Sequence, residues 1–129
     1  MKKVYMALSV DTIHHGHINL INHAKKYGYL IVGLLTDKAI AEKKRLPLLN
    51  WKERKKILEN IQGIDKIVAQ NEWNYSNNLK KIKPDIMIHG DDWKFNEEKK
   101  HRDQTLKTLK KLGSKLIEIP HTKGISSSA

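Results

Sequence analysis

Three of the chain's seven histidines, His14, His15 and His17, fall within four positions, and Gly16 stands between the last two. Zinc ligation is the first chemistry to test for imidazoles so concentrated. A third or fourth ligand is lacking nearby and the chain has no cysteine, so no metal ligand is assigned. Their position, beside a glycine where a strand gives way to a helix, marks His14 and His17 as functional. His23 and His101 read as solvated or core histidines, while His89 borders a second group, Gly90-Asp91-Asp92-Trp93. A third group, Thr122 to Ser127, is rich in hydroxyls and glycine, and Lys43, Lys44 and Arg45 form a basic run.

Elements must bring these groups together. Val4–Val10, Tyr29–Leu35, Ile64–Ala69, Asp85–His89 and Ser114–Ile119 are short apolar runs suited to buried parallel strands. Helical spacing appears from His17 to Tyr27, stopped by Gly28. Asn50 with Glu53 three residues on predicts a capping box, and the helix behind it carries Ile57, Leu58 and Ile61 inward and stops at Gly63. A short helix around Ser76 to Ile82 ends before Pro84. Glu97 to Leu112 reads as a helix with Leu106, Leu109 and Leu112 inward, and the stretch from Lys43 to Pro47 as a loop. Five strands alternating with four helices predict an α/β fold, a parallel sheet with helices on both faces. Ligands in such sheets bind outside the carboxyl ends of the strands, here after Val10, Leu35, His89 and Ile119. The three groups and the basic run all follow those ends.

The chain's 129 residues predict a single domain, 1–129. Apolar blocks of clear period exclude disorder despite 30% charged residues. No run approaches the roughly 18 apolar residues of a membrane span, and no signal peptide is read, so no membrane partner is expected. The missing cysteines fit a reducing cytoplasm. A formal charge of +11 predicts attraction to polyanions, namely nucleic acid, an anionic membrane surface or a small multiply phosphorylated ligand. Only Arg45, Arg54 and Arg102 among the 25 basic residues are arginines, which weakens a base-reading role. Few aromatics, and basic residues spread over every helix, leave a nucleic-acid-binding module as the rival class, and no nucleic acid is expected as partner.

His14-His15-Gly16-His17 resembles the His-x-Gly-His signature of nucleotidyltransferases with a Rossmann-like core. His89-Gly90-Asp91-Asp92-Trp93 resembles a block of glycerol-3-phosphate cytidylyltransferases, and Thr122-Lys123-Gly124-Ile125-Ser126-Ser127 resembles their phosphate-binding segment. Ala7–Asp11, Gly33–Ala41 and Lys44–Leu49 look more like the cytidylyltransferase-like domain that precedes phosphoenolpyruvate mutase in some phosphonate-biosynthesis proteins. The resemblance runs from Lys3 to Ser128 and implies a Rossmann-like five-stranded parallel sheet. It implies transfer of CMP from CTP to a small phosphonate or phospho-alcohol with release of pyrophosphate, Mg²⁺ accompanying the CTP. Glycerol 3-phosphate is the alternative acceptor, and a CTP sensor without turnover is a further alternative. A cytoplasmic homodimer is expected, and the chain reads as truncated within its last motif.

The implied roles follow the matching positions. His14, His17 and Lys43 are the implied catalytic residues, the histidines donating to α- and β-phosphate oxygens. Ser9, Val10, Asp11, Gly16, Gly90, Asp91, Asp92, Trp93, Thr122, Gly124, Ile125, Ser126 and Ser127 are implied at the nucleotide. Lys44, Arg45, Arg54 and His121 are implied at the substrate phosphate. Other readings stay open for several: a helix cap or a Mg²⁺ contact for Asp11, Asp91 and Asp92, packing for Trp93, and a solvated basic loop for Lys43 to Arg45. His121 and Gln62 stand where the resembling enzymes carry arginine.

Overall fold

A computed structural model describes the chain at residues 1–10, 13, 15–93 and 98–120, the side chain of Asp92 apart. In chain order the elements are β1 (Lys3–Leu8), α1 (His15–Lys25), β2 (Tyr29–Leu35), α2 (Asp37–Ala41), α3 (Trp51–Glu59), β3 (Lys66–Gln70), α4 (Ser76–Ile82), β4 (Ile86–Gly90), α5 (Lys99–Leu112) and β5 (Lys115–Ile119). The strands form one parallel sheet in the order β3-β2-β1-β4-β5. This is the predicted fold.

Alternation along the strands sends side chains to two cores. Val4, Met6 and Leu8 of β1 join Leu30, Val32 and Leu34 of β2 under α1 and α3, against Ile21, Ala24 and Leu58. Tyr5, Ile31 and Met87 point the other way, against Tyr75, Leu79, Trp93 and Leu109 on the side of α4 and α5. Because β1 and β2 are covered on both faces, their sequences read as unbroken apolar runs.

Several boundaries differ from the expectation. β1 stops at Leu8, because Val10 takes a φ of 51° and leaves the sheet. α1 opens at His15, two residues early, and α3 ends at Glu59 with the Asn50–Glu53 capping box in place. The segment read as a loop begins with α2, whose N-cap Thr36 accepts from the Ala39 N–H. In α5 Leu109 is buried and Leu112 packs against the same core as expected, Leu106 is half-buried, and Thr105 and Thr108 join the buried positions. The threonine hydroxyls donate to carbonyls one turn back, His101 and Gln104, so they enter the core satisfied. No helix among the described residues is long and apolar enough to cross a membrane.

Candidate active site

The strand order turns back between β1 and β4, so the ligand crevice of this fold lies outside their carboxyl ends. β1 delivers Ser9 and Val10 there. A buried, β-branched residue in the left-handed region, Val10 carries strain of order 1–3 kcal/mol. That turn swings the chain from the sheet toward α1, whose first turn holds Gly16 and His17. Backbone N–H groups of a first turn lack intrahelical acceptors, which suits that end to an anion. Asp11, Thr12 and His14 lie outside the described residues.

A cavity of about 240 Å³ opens beside the ends of β1, β2 and β4, lined by Ser9, Lys44, Trp73, Tyr75, His89 and Glu98 among others. Lys44 reaches it with its ammonium 5.5 Å from the centre of the Trp73 ring. The position of His89 is set three ways. Its Nδ1 lies 2.8 Å from the Gly90 carbonyl, its Nε2 3.2 Å from the Tyr75 hydroxyl, and its ring stacks on Trp93 at 3.5 Å and 6°. A carbonyl only accepts, so Nδ1 carries the proton, and in the neutral ring Nε2 accepts from Tyr75.

Trp93, implied at the nucleotide with packing as its other reading, lines this cavity from the core side. It is 1% exposed, and its Nε1 donates to Glu118 at 2.7 Å, the carboxylate that Arg102 grips with two N–H groups. Gly90 closes β4, and Asp91 opens the 3-10 turn that carries Trp93. Lys43 and Arg45 are exposed beside Lys44. Lys43 also acts on His101, in ring contact with Trp73 and Tyr75. Burial first, then the charges of His89 and Lys43, push the His101 imidazole down to about 4.

Arg54 departs most from expectation. Its side chain is fully buried, donating to the carbonyls of Ser9 (2.6 Å), Leu35 (2.8 Å) and Leu49 (3.2 Å) and to Asp37 (2.6 Å). With its donors turned inward, it braces the ends of β1 and β2 against α2 and the start of α3 rather than facing a substrate phosphate. Gln62 sits exposed in the turn between α3 and β3, at the pole away from the crevice, so its difference from an arginine leaves this chain's own cavity unchanged. His121, Thr122, Gly124, Ile125, Ser126 and Ser127 lie outside the described residues.

The structure therefore brings Ser9, Lys44, Gly90 and Asp91 to one end of the sheet with the first turn of α1. Sequence reasoning missed Trp73, Tyr75 and Glu98 as lining residues and left His89 undecided. A signal was present for the first two, since Glu72-Trp73-Asn74-Tyr75 follows the third strand, a carboxyl end like the others.

The cytidylyltransferase-like family matches residues 9–129. The chain belongs to that family. Within it, the glycerol-3-phosphate cytidylyltransferase of Bacillus spizizenii is 33% identical over 99% of this chain and 93% of its own length. The ethanolamine-phosphate cytidylyltransferase of Mus musculus is 32% identical over 92% of this chain and 29% of its own. A lipopolysaccharide core biosynthesis protein from Thermoplasma volcanium shares the fold, with a TM-score of 0.81 at 24% identity, covering 95% of this chain and 99% of that one. As a cytidylyltransferase-like protein the chain is a nucleotidyltransferase, as its motifs predicted.

Proposed function

We propose that the chain transfers CMP from CTP to a small phosphonate or phospho-alcohol. An acceptor oxygen attacks the α-phosphorus, the new O–P bond forms as the α–β bridge breaks, and pyrophosphate leaves. The attacking group is largely ionised at neutral pH, since a phosphate's second pKa is about 6, so no general base is required. Catalysis then rests on positioning and on neutralising charge that moves to the leaving group. One observation carries this reading: Lys44 lines the cavity together with Ser9 and His89, at the sheet end where α1 begins with Gly16 and His17.

In this mechanism His17, with His14, donates to phosphate oxygens, while Lys43, Lys44 and Arg45 supply mobile positive charge. Among the described residues no three His, Asp or Glu side chains converge on a metal position. Mg²⁺ belongs here to the nucleotide substrate, as the counter-ion of its phosphates. A homodimer is part of the proposal, and sedimentation velocity on the pure chain tests it.

Glycerol 3-phosphate is a second reading, favoured by the 33% identity to the Bacillus spizizenii enzyme along nearly the whole chain. Pyrophosphate release with CTP, comparing kcat/KM for a hydroxyethyl- or aminoethylphosphonate with that for glycerol 3-phosphate, decides between them. Preference for the phosphonate supports the first, and preference for glycerol 3-phosphate selects the second. No release with any acceptor overturns both. His17→Ala is expected to lower turnover by roughly 10²–10³-fold with the fold retained, the scale of one lost transition-state donor.

A further inference from the structure

We propose that the pole of the molecule opposite the crevice docks on an anionic phospholipid bilayer. In a parallel sheet all strands begin at one pole, and the helices that return the chain end there. Lys3, Lys66 and Lys115 open β1, β3 and β5 at that pole, and all three are exposed. Lys81 and Lys83 stand at the end of α4, and Lys110 and Lys111 at the end of α5, also exposed. The acids of this pole are Glu59, Asp65 and Asp85. Asp65 is already bonded to Lys25 at 2.7 Å, and Asp85 accepts from the Lys3 backbone N–H.

Lysines at helix ends complement the helix dipole, and that alone accounts for one or two per helix. It does not account for those that open the strands. Nor does it explain the groove between them, about 480 Å³, with Ile31, Val68 and Ile82 in its lining and Lys3, Lys66 and Lys81 around it. Tyr27 and Tyr29, 39% and 37% exposed, stand at the same pole. Lysine and tyrosine both carry an apolar body and a polar tip, the combination that settles at a headgroup layer.

A single nucleic-acid strand also attracts lysines, but its bases stack on aromatic platforms and arginines. Among the described residues the groove's apolar lining is Ile31, Val68 and Ile82 with a single aromatic, Tyr29, where stacking of successive bases needs several, and none of the three arginines is at this pole: Arg54 is buried, Arg102 pairs with Glu118, and Arg45 lies in the loop at the other end. Docking this way leaves the crevice facing solvent.

Co-sedimentation with vesicles tests the proposal. The chain is expected to pellet with phosphatidylcholine–phosphatidylglycerol vesicles, less so as salt rises, and to stay in solution with phosphatidylcholine alone. A Lys66→Glu, Lys81→Glu, Lys111→Glu triple variant should lose at least roughly a hundredfold in partition coefficient, at about a fivefold contribution per lysine near the surface. A Lys38→Glu, Lys52→Glu, Lys99→Glu variant makes the same change in net charge on exposed residues of helix first turns, away from this pole, and should lose far less. Equal losses in the two variants would overturn the proposal, as would equal binding to both vesicle types. Binding of a dT oligonucleotide that the first triple abolishes, with no vesicle binding, would assign the pole to nucleic acid and overturn it too. Far-UV circular dichroism confirms that both variants fold.

Discussion

Arg54 has no exposed surface, and two of its four hydrogen bonds go to carbonyls at two adjacent strand ends. Removing it leaves those carbonyls buried without partners and Asp37 without its cation. Arg54→Ala is expected to cost about 3–5 kcal/mol in urea unfolding, the range for breaking a buried charged network. Arg54→Lys keeps the charge but loses the planar fork, and should fall between the two. His101 makes a separate prediction. Its folded-state value of about 4 lies below the usual 6.5, so the unfolded chain takes up the proton first. The stability from a neutral His101 is complete above pH 6.5 and is lost as pH falls toward 4. Melting temperatures followed down that range should drop more steeply in the wild type than in His101→Leu. Residue type and spacing made Ser9, Lys44, Gly90 and Asp91 legible as residues of one sheet end, where the structure places them. They left Arg54 misread, because its partners lie five to forty-five positions away and only the fold places them around it.

At the scale of elements, legibility followed burial. The central strands announce themselves because each is apolar on both faces, and α3 because its capping box is a local pattern. α2 is five residues long and offers no period to read. The leucine stripe of α5 held at Leu109 and Leu112 but missed Thr105 and Thr108, because threonines can enter a core when the preceding turn accepts their protons. Two substitutions test the packing of elements. A Cβ on Gly33 would overlap the hydroxyl of Tyr5, which donates to Gln70 and accepts from Asn78. Gly33→Ala should therefore cost about 3 kcal/mol or more, adding overpacking to a broken buried network, as read by chemical denaturation. Lys83 closes α4 in the left-handed region at a φ of 52°. Glycine enters that region without a steric penalty, so Lys83→Gly is expected to raise stability by about 0.5–1 kcal/mol.

For the molecule as a whole, the net charge of +11 was plain in the sequence, but the grouping of seven exposed lysines at one pole was not. Lysines at the starts of three strands and the ends of two helices are scattered along the chain, and only a parallel topology collects them. The opposite pole makes its own prediction about nucleotide choice. CTP with Mg²⁺ should raise the melting temperature more than ATP does, by up to roughly 10 °C at a hundredfold excess over Kd, where linkage contributes about 2.7 kcal/mol. Equal shifts with both nucleotides would remove the cytosine preference that Gly90-Asp91-Asp92-Trp93 implies.

The place of β1 in the sheet also bears on how the chain is made. It leaves the ribosome before the other strands of the sheet, yet it lies between β2 and β4, pairing Val4 with both Leu30 and Ile86. One edge is closed as soon as β2 follows. The other waits until β3 and β4 have emerged in turn, and until then the most apolar strands present an open edge and an incompletely covered face. The nascent chain is thus most prone to aggregate in mid-translation, and the arrival of β4 ends that interval.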